Sequence, residues 1–163
     1  MQGAERRPTI ADLRDPLMLL ALGFGSGLLP RAPGTWGTVV GCALFAVLAP
    51  LGLPAMIGIT AAAIVVGVPL CTVAAQRLGV HDHPAIVWDE IAGVMLALLF
   101  VPLTWFWVVA AFLLFRLLDV AKPWPIGWLD RRVSGGFGIM LDDVLAGAAT
   151  GLALMGLVLL LNG

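Results

Sequence analysis

Three stretches of this chain carry no Asp, Glu, Lys or Arg at all: residues 37–75, 91–115 and 144–161. They are 39, 25 and 18 residues long, and a helix that crosses a bilayer needs roughly 20 apolar residues at about 1.5 Å each. Charged residues make up about a quarter of an ordinary soluble domain. Here they are 12% of 163 residues, against 61% hydrophobic. Nine basic and ten acidic side chains cannot wrap a soluble core of this size. The expected fold is one all-α domain over residues 1–163, an integral membrane helical bundle. A net charge of −1 with a single lysine, Lys122, also argues against a nucleic-acid partner.

The longest stretch must hold two helices, and Pro50, Gly52 and Pro54 mark the turn between them because two prolines and a glycine cannot continue a helix. Pro69 is expected to kink the second helix without ending it. Residues 91–115 would fit one tilted span, but Pro102 sits in the middle. With one span there, the basic residues divide four against five between the two faces. Splitting the stretch into helices of 17 residues, 84–100 and 104–120, places all nine on one face. Each would be roughly 26 Å long, and the positive-inside rule makes the charged face cytoplasmic. The reading is therefore about five hydrophobic helices plus a short N-terminal interfacial helix within residues 17–29. A cleaved signal peptide is the alternative for that segment, but no A-x-A-like site follows it. Cys42 and Cys71 lie in apolar runs and read as small core residues.

This layout gathers three polar clusters at one face. The first is a glycine-rich segment, Gly23, Gly25, Ser26 and Gly27, running through Arg31 to Gly34 and Thr35. Its glycines would let backbone N–H groups approach an anion, although a packing turn explains the segment equally well. The second is His81, Asp82, His83 and Pro84, followed by Trp88, Asp89, Glu90 and Gly93. With Pro84 in the first turn of a helix, Asp89 and Glu90 would lie more than a turn inside it, where adjacent carboxylates need something positive to face them. His81 and His83 are not assigned a role. The third cluster sets Arg116 and Asp119 three apart on one helical face, then Lys122 and Asp130, then Gly135, Gly136, Asp142, Asp143 and Gly147. The second acidic pair is expected to open its helix, where carboxylates complement the helix dipole. The tryptophans, Trp36, Trp88, Trp124 and Trp128 among them, read as interfacial anchors.

Helix dipoles account for one such carboxylate better than for seven acids gathered at the ends of adjoining helices. Hard oxygen ligands in this arrangement suit Mg²⁺, which takes one or two carboxylates, waters and phosphate oxygens. The candidate metal ligands are Asp89, Glu90, Asp142 and Asp143. Structural helix caps and ion conduction remain the competing readings.

The motifs that run from Gly23 to Thr35, Trp88-Asp89-Glu90 to Gly93, Phe115-Arg116 to Asp119 and Lys122-Pro123, and Gly135-Gly136 to Asp142-Asp143 and Gly147 resemble the phosphatidylglycerophosphatase A family over about residues 15–160. The resemblance implies a Mg²⁺-requiring enzyme of the bacterial plasma membrane that removes the terminal phosphate from phosphatidylglycerol phosphate.

The residues agree with a phosphomonoesterase that uses no covalent nucleophile. Cys71 and Arg77 satisfy the bare C-x5-R spacing of a thiolate phosphatase, but no glycine shapes a loop between them. Direct attack by water at a carboxylate-held Mg²⁺ remains. The catalytic set expected is Asp89, Glu90, Arg116, Asp119, Lys122 and Asp143, with Asp119 or Asp82 acting on the water. Substrate contacts are expected from Gly25, Ser26, Arg31, Gly34, Thr35, Arg116, Lys122 and Gly136. The partners implied are an anionic phospholipid and the membrane itself. The small residues between Gly147 and Gly151 suit either a contact within the bundle or a homo-oligomer. Two other classes of function stay open at this stage: a small ion or proton transporter, and a non-catalytic membrane assembly protein.

Overall fold

The computed structural model describes residues 6–80 and 82–162, and is helical throughout apart from turns and connecting segments. Helix α1 (Pro16–Ala21) is followed by α2 (Pro33–Leu48), α3 (Leu53–Leu78), α4 (Trp88–Leu98), α5 (Trp105–Ala121), the short α6 (Ile126–Asp130) and α7 (Gly135–Asn162). Among the described residues, three helical segments, Pro33–Leu51, Leu53–Leu78 and Gly135–Leu161, are long and apolar enough to cross a membrane.

The proline turns fall where the sequence placed them. Gly52, at φ +86°, starts α3 after a tight turn at Ala49–Leu51. Helix α3 runs unbroken past Pro69. The charge-free stretch around Pro102 breaks between Leu98 and Trp105, separating α4 from α5. A small apolar crevice lined by Ala49, Leu53, Leu98 and Val101 shows that these two turns meet at one end of the bundle. The carboxylates are gathered at the other end.

Helix α4 is the axis of the fold. Eight of its eleven residues are buried, and it packs against α2, α3, α5 and α7. It is also shorter than expected, at about 16 Å, because the helix begins at Trp88 and not at Pro84. Two hydrogen bonds set this start, one local and one distant: the Ala85 N–H donates to His83 Nδ1 at 3.1 Å, and the Val87 N–H donates to the Ala21 carbonyl at 2.9 Å. Residues 83–87 thus spend their donors outside a helix. Asp89 and Glu90 consequently stand in the first turn of α4. The second acidic pair is displaced the opposite way: α7 starts at Gly135, so Asp142 and Asp143 lie two turns inside it.

Close approach of α4 and α7 brings these two pairs together. A Cβ on Gly93 would stand 2.7 Å from the Asp143 carbonyl, and one on Gly147 would collide with the Gly93 carbonyl. The Gly147 contact expected from the sequence is therefore made within the bundle. Helix α1 is not a free surface helix. Its N-cap Asp15 accepts from the Leu17 and Met18 N–H groups and pairs with Arg77 of α3 at 2.7 Å. Met18 and Leu22 are buried with Cys71, Ala74 and Leu78 of α3. Trp88 is an internal tie, donating from Nε1 to the Ala63 carbonyl at 3.0 Å, whereas Trp36, Trp124 and Trp128 are exposed.

Candidate active site

A pocket of about 320 Å³ opens among the starts of α2 and α4, the end of α5 and the second turn of α7. Asp89 and Glu90 enter from α4, Arg116 and Asp119 from the last turns of α5, Lys122 from its C-cap, and Asp142 and Asp143 from α7, with Asp82 at the rim. Neighbouring residues on a helix point about 100° apart, and this divides each acidic pair. Asp89 is buried, with Asp143 close by, while Glu90 reaches toward Arg116, whose Nη1 is 3.7 Å from Glu90 Oε1. Gly34, in the first turn of α2, leaves the space that Glu90 and Arg116 fill. A Cβ there would strike Glu90 Oε1 and lie 3.2 Å from Arg116 Nη1.

Two cations are already committed to acids. Arg116 also pairs with Asp119 on its own helical face. Lys122 donates to Asp130 at 2.8 Å and to Asp142, so it ties α6 to α7. Burial works against the Lys122 charge, but the hydrogen bonds and charges of Asp130 and Asp142 outweigh it and hold the ammonium above its ordinary value. Lys122 is accordingly charged throughout the physiological range.

The acids outnumber these cations. The pocket is lined by six carboxylates, Asp82, Asp89, Glu90, Asp119, Asp142 and Asp143, against Arg116 and Lys122. One carboxylate oxygen each of Asp89, Glu90 and Asp143 is buried without a hydrogen-bond partner. Ligand oxygens of Asp89, Glu90 and Asp143 lie within 4.8 Å of one another, and so do those of Asp119, Asp142 and Asp143. Asp143 belongs to both groups. Buried carboxylates in this number and without donors are costly unless a cation joins them.

The phosphatidylglycerophosphatase A family model matches residues 19–158, which takes in every carboxylate of the pocket. The chain belongs to the phosphatidylglycerophosphatase A family. It is thereby one of the phosphatase hydrolases. Relatives named phosphatidylglycerophosphatase A include one from Haemophilus influenzae, 48% identical over 83% of this chain and 84% of its own length. Another, from Escherichia coli, is 46% identical over 83% of this chain and 79% of its own. A Bacteroides thetaiotaomicron relative, 39% identical over 80% of this chain and 86% of its own, is named as a candidate phosphatidylinositol-3-phosphatase. No solved structure matches the chain.

In this member of the phosphatidylglycerophosphatase A family, the residues expected from the sequence fall into two sets. Asp89, Glu90, Arg116, Asp119, Lys122, Asp142, Asp143 and Gly34 all line one pocket. Gly25, Ser26, Arg31, Thr35 and Gly136 do not. Gly25, at φ +98°, faces Leu13, and the Ser26 hydroxyl donates to the Gly23 carbonyl at 2.9 Å, so these two residues make packing and turn contacts. Arg31 is exposed. The Gly136 N–H donates to Thr72 Oγ1 of α3 at 3.1 Å, which makes that glycine a helix contact. His83 is buried beneath the neighbouring turn, and His81 lies outside the described residues. Cys71 is buried in the middle of α3 beside Met140, and Arg77 holds Asp15, so the C-x5-R spacing forms no phosphate loop. Sequence reasoning gave no role to Asp130, which anchors Lys122. Its signal was position, eight residues after Lys122 across a Pro-Trp-Pro turn.

The chemistry of the donor set fits Mg²⁺. Oxygens about 2.1 Å from an octahedral ion stand about 3 to 4 Å apart, close to the size of both carboxylate groups. Asp89, Glu90 and Asp143 each keep a buried oxygen without a hydrogen-bond partner to offer such an ion.

Proposed function

We propose that this chain hydrolyses phosphatidylglycerol phosphate to phosphatidylglycerol and inorganic phosphate, in a Mg²⁺-dependent reaction at the cytoplasmic face of the bacterial inner membrane. The observation that carries this reading is the pocket itself: buried carboxylate oxygens without donors, facing two anchored cations. Asp89, Glu90 and Asp143 would hold the ion, with Asp142 beside them. The metal, when bound, supplies Lewis-acid stabilisation of phosphoryl charge and activation of water.

The remaining work falls to the side chains. Arg116 lines the pocket with Nη1 engaged by Asp119 and Glu90, and Lys122 uses two of its three donors on Asp130 and Asp142. Both can therefore donate to phosphoryl oxygens without leaving their anchors, which is the fixed donor placement that stabilises developing charge. Asp119, held by Arg116 and outside the Asp89–Glu90–Asp143 group, takes the proton of the attacking water.

A lipid substrate suits the outer wall of the pocket. Leu113, Leu117 and Val120 form an exposed apolar row along α5, and Val120 also lines the pocket. Acyl chains lying along this row would bring the headgroup to the carboxylates. A transporter would need polar groups that continue the pocket through the bundle. The crevice at the opposite end is lined by apolar side chains alone.

The decisive assay offers purified protein in detergent phosphatidylglycerol phosphate, phosphatidic acid and phosphatidylinositol 3-phosphate, each with Mg²⁺ or with EDTA. We expect phosphate release that is fastest from phosphatidylglycerol phosphate and is abolished by EDTA. Release from none of the three would sink the enzyme reading, and release that survives EDTA would sink the metal assignment. For the five-helix arrangement, Gly52→Cys and Asp130→Cys variants without the native cysteines should be labelled from opposite faces of the membrane. Labelling of both from one face would overturn it.

A further inference from the structure

Beside the carboxylate pocket lies a second cleft of about 440 Å³, and the two share Pro33 and Pro84 on a common rim. The chemistry on either side of that rim is opposite. The first pocket holds six carboxylates. Among the described residues the second is lined by none and carries Arg7, with Leu28 and Leu29 on an apolar wall and His83 beneath. Its volume is that of a small-ligand site.

The walls of this cleft are held in place. The Arg6 N–H donates to the Leu78 carbonyl of α3 at 3.0 Å, and the Arg6 guanidinium grips Asp12 with hydrogen bonds of 2.6 and 3.2 Å. Residue 7 is thereby pinned against the bundle at its neighbour's backbone and side chain. The Arg6 hydrogen bond holds the Asp12 carboxyl down at about 2, so this clasp persists as the pH falls and opens only when it approaches that value. On the inner side, Gly27 packs directly on the Ala85 carbonyl, and the Ala85 N–H is taken by His83 Nδ1.

We propose that this cleft seats the inner phosphodiester of a lipid headgroup that carries two phosphates, with Arg7 as its cation. The inference deepens the phosphomonoesterase reading and rests on it. In such a headgroup a three-carbon glycerol joins the terminal monoester to the diester. The monoester must enter the acidic pocket, where a metal and two cations offset the carboxylates. The diester is also anionic, and among the described residues that pocket offers no cation beyond Arg116 and Lys122. A glycerol lying across Pro33 and Pro84 would place it in the adjoining cleft, where a guanidinium offers paired N–H donors suited to phosphate oxygens. Leu28 and Leu29 would meet the start of the glyceride.

The test compares wild-type protein with Arg7→Gln and Arg7→Lys in detergent micelles with Mg²⁺. It measures kcat and KM on phosphatidylglycerol phosphate, then inhibition by phosphatidylglycerol, which has the diester alone, and by inorganic phosphate, which belongs to the acidic pocket. Arg7 is exposed, so its loss is expected to cost about fivefold. R7Q should raise KM and the phosphatidylglycerol inhibition constant together by that factor, with kcat and inhibition by phosphate unchanged. R7K, which keeps the charge and loses the paired donors, should fall between wild type and R7Q. Phosphatidylglycerol inhibition that is unaltered in R7Q, or phosphate inhibition that weakens equally, would overturn the proposal. A wild-type protein that releases no phosphate would sink the phosphomonoesterase reading instead, and the proposal with it.

Discussion

Asp89→Asn and Asp143→Asn are each expected to lower kcat/KM on phosphatidylglycerol phosphate by about 10³-fold or more, with helix content and detergent-solubilised size unchanged. The magnitude is that of removing one charge-stabilising or proton-handling group from a preorganised site. Both substitutions keep the shape of the side chain and remove its charge. In the fold alone they should be harmless, because each relieves like-charge repulsion among carboxylates whose oxygens lie within 4.8 Å. Thermal unfolding gives an independent readout of the metal. A ligand that binds the folded state raises its stability by mass action, so Mg²⁺ should raise the Tm of wild-type protein and leave that of either variant nearly unmoved. The double variant should be scarcely worse than either single one, since groups that act as a unit lose their effect together. Near-normal turnover by D89N would remove the carboxylate group from the reaction. A wild-type Tm indifferent to Mg²⁺ would remove the metal.

Much of the bundle is legible in the sequence because bilayer physics leaves few choices. A 39-residue stretch without charge must turn, and Pro50, Gly52 and Pro54 say where. The break at Pro102 follows from the same reasoning applied to the nine basic residues, and α4 and α5 do separate there. What the sequence could not reveal is set by contacts between distant elements. Pro84 looks like a helix start until the Ala21 carbonyl takes the Val87 N–H and His83 takes the Ala85 N–H. The first of these bonds joins distant segments, and no local pattern announces it. The two acidic pairs therefore exchange roles: the dipole of α4 supports Asp89 and Glu90 in its first turn, while Asp142 and Asp143, two turns into α7, have no such support. The glycine motifs divide for a similar reason. Gly25 and Gly136 are spent on turning and packing, and sequence alone does not distinguish a glycine that admits a ligand from one that admits a helix. Asp130 stands in the third polar cluster of the sequence without a role, and its bond to Lys122 requires α6 to fold back beside α7.

Gly34 separates those two kinds of glycine, and Gly34→Ala is expected to lower kcat/KM by about 10²-fold with little change in stability. Helix propensity pushes the other way: alanine inside a helix is favoured over glycine by about 1 kcal/mol, and Gly34 already lies in the first turn of α2 with no positive φ to forbid a side chain. The backbone would accept alanine, so any loss must come from what the new methyl group meets. That is Glu90 Oε1, in direct collision, and Arg116 Nη1 at 3.2 Å. Glu90 belongs to one carboxylate group, and Arg116 holds Asp119, which belongs to the other. One methyl group therefore presses on both, and a misplacement of about 1 Å in a reacting constellation costs about 10²-fold. Gly34 acts through these side chains as a positioning residue. The readout that separates this from general damage is a kcat that falls while Tm stays level or rises and Mg²⁺ still shifts it. Full activity in G34A would mean that Glu90 and Arg116 can move apart freely, and the close packing of α2 on this pocket would then have no part in catalysis.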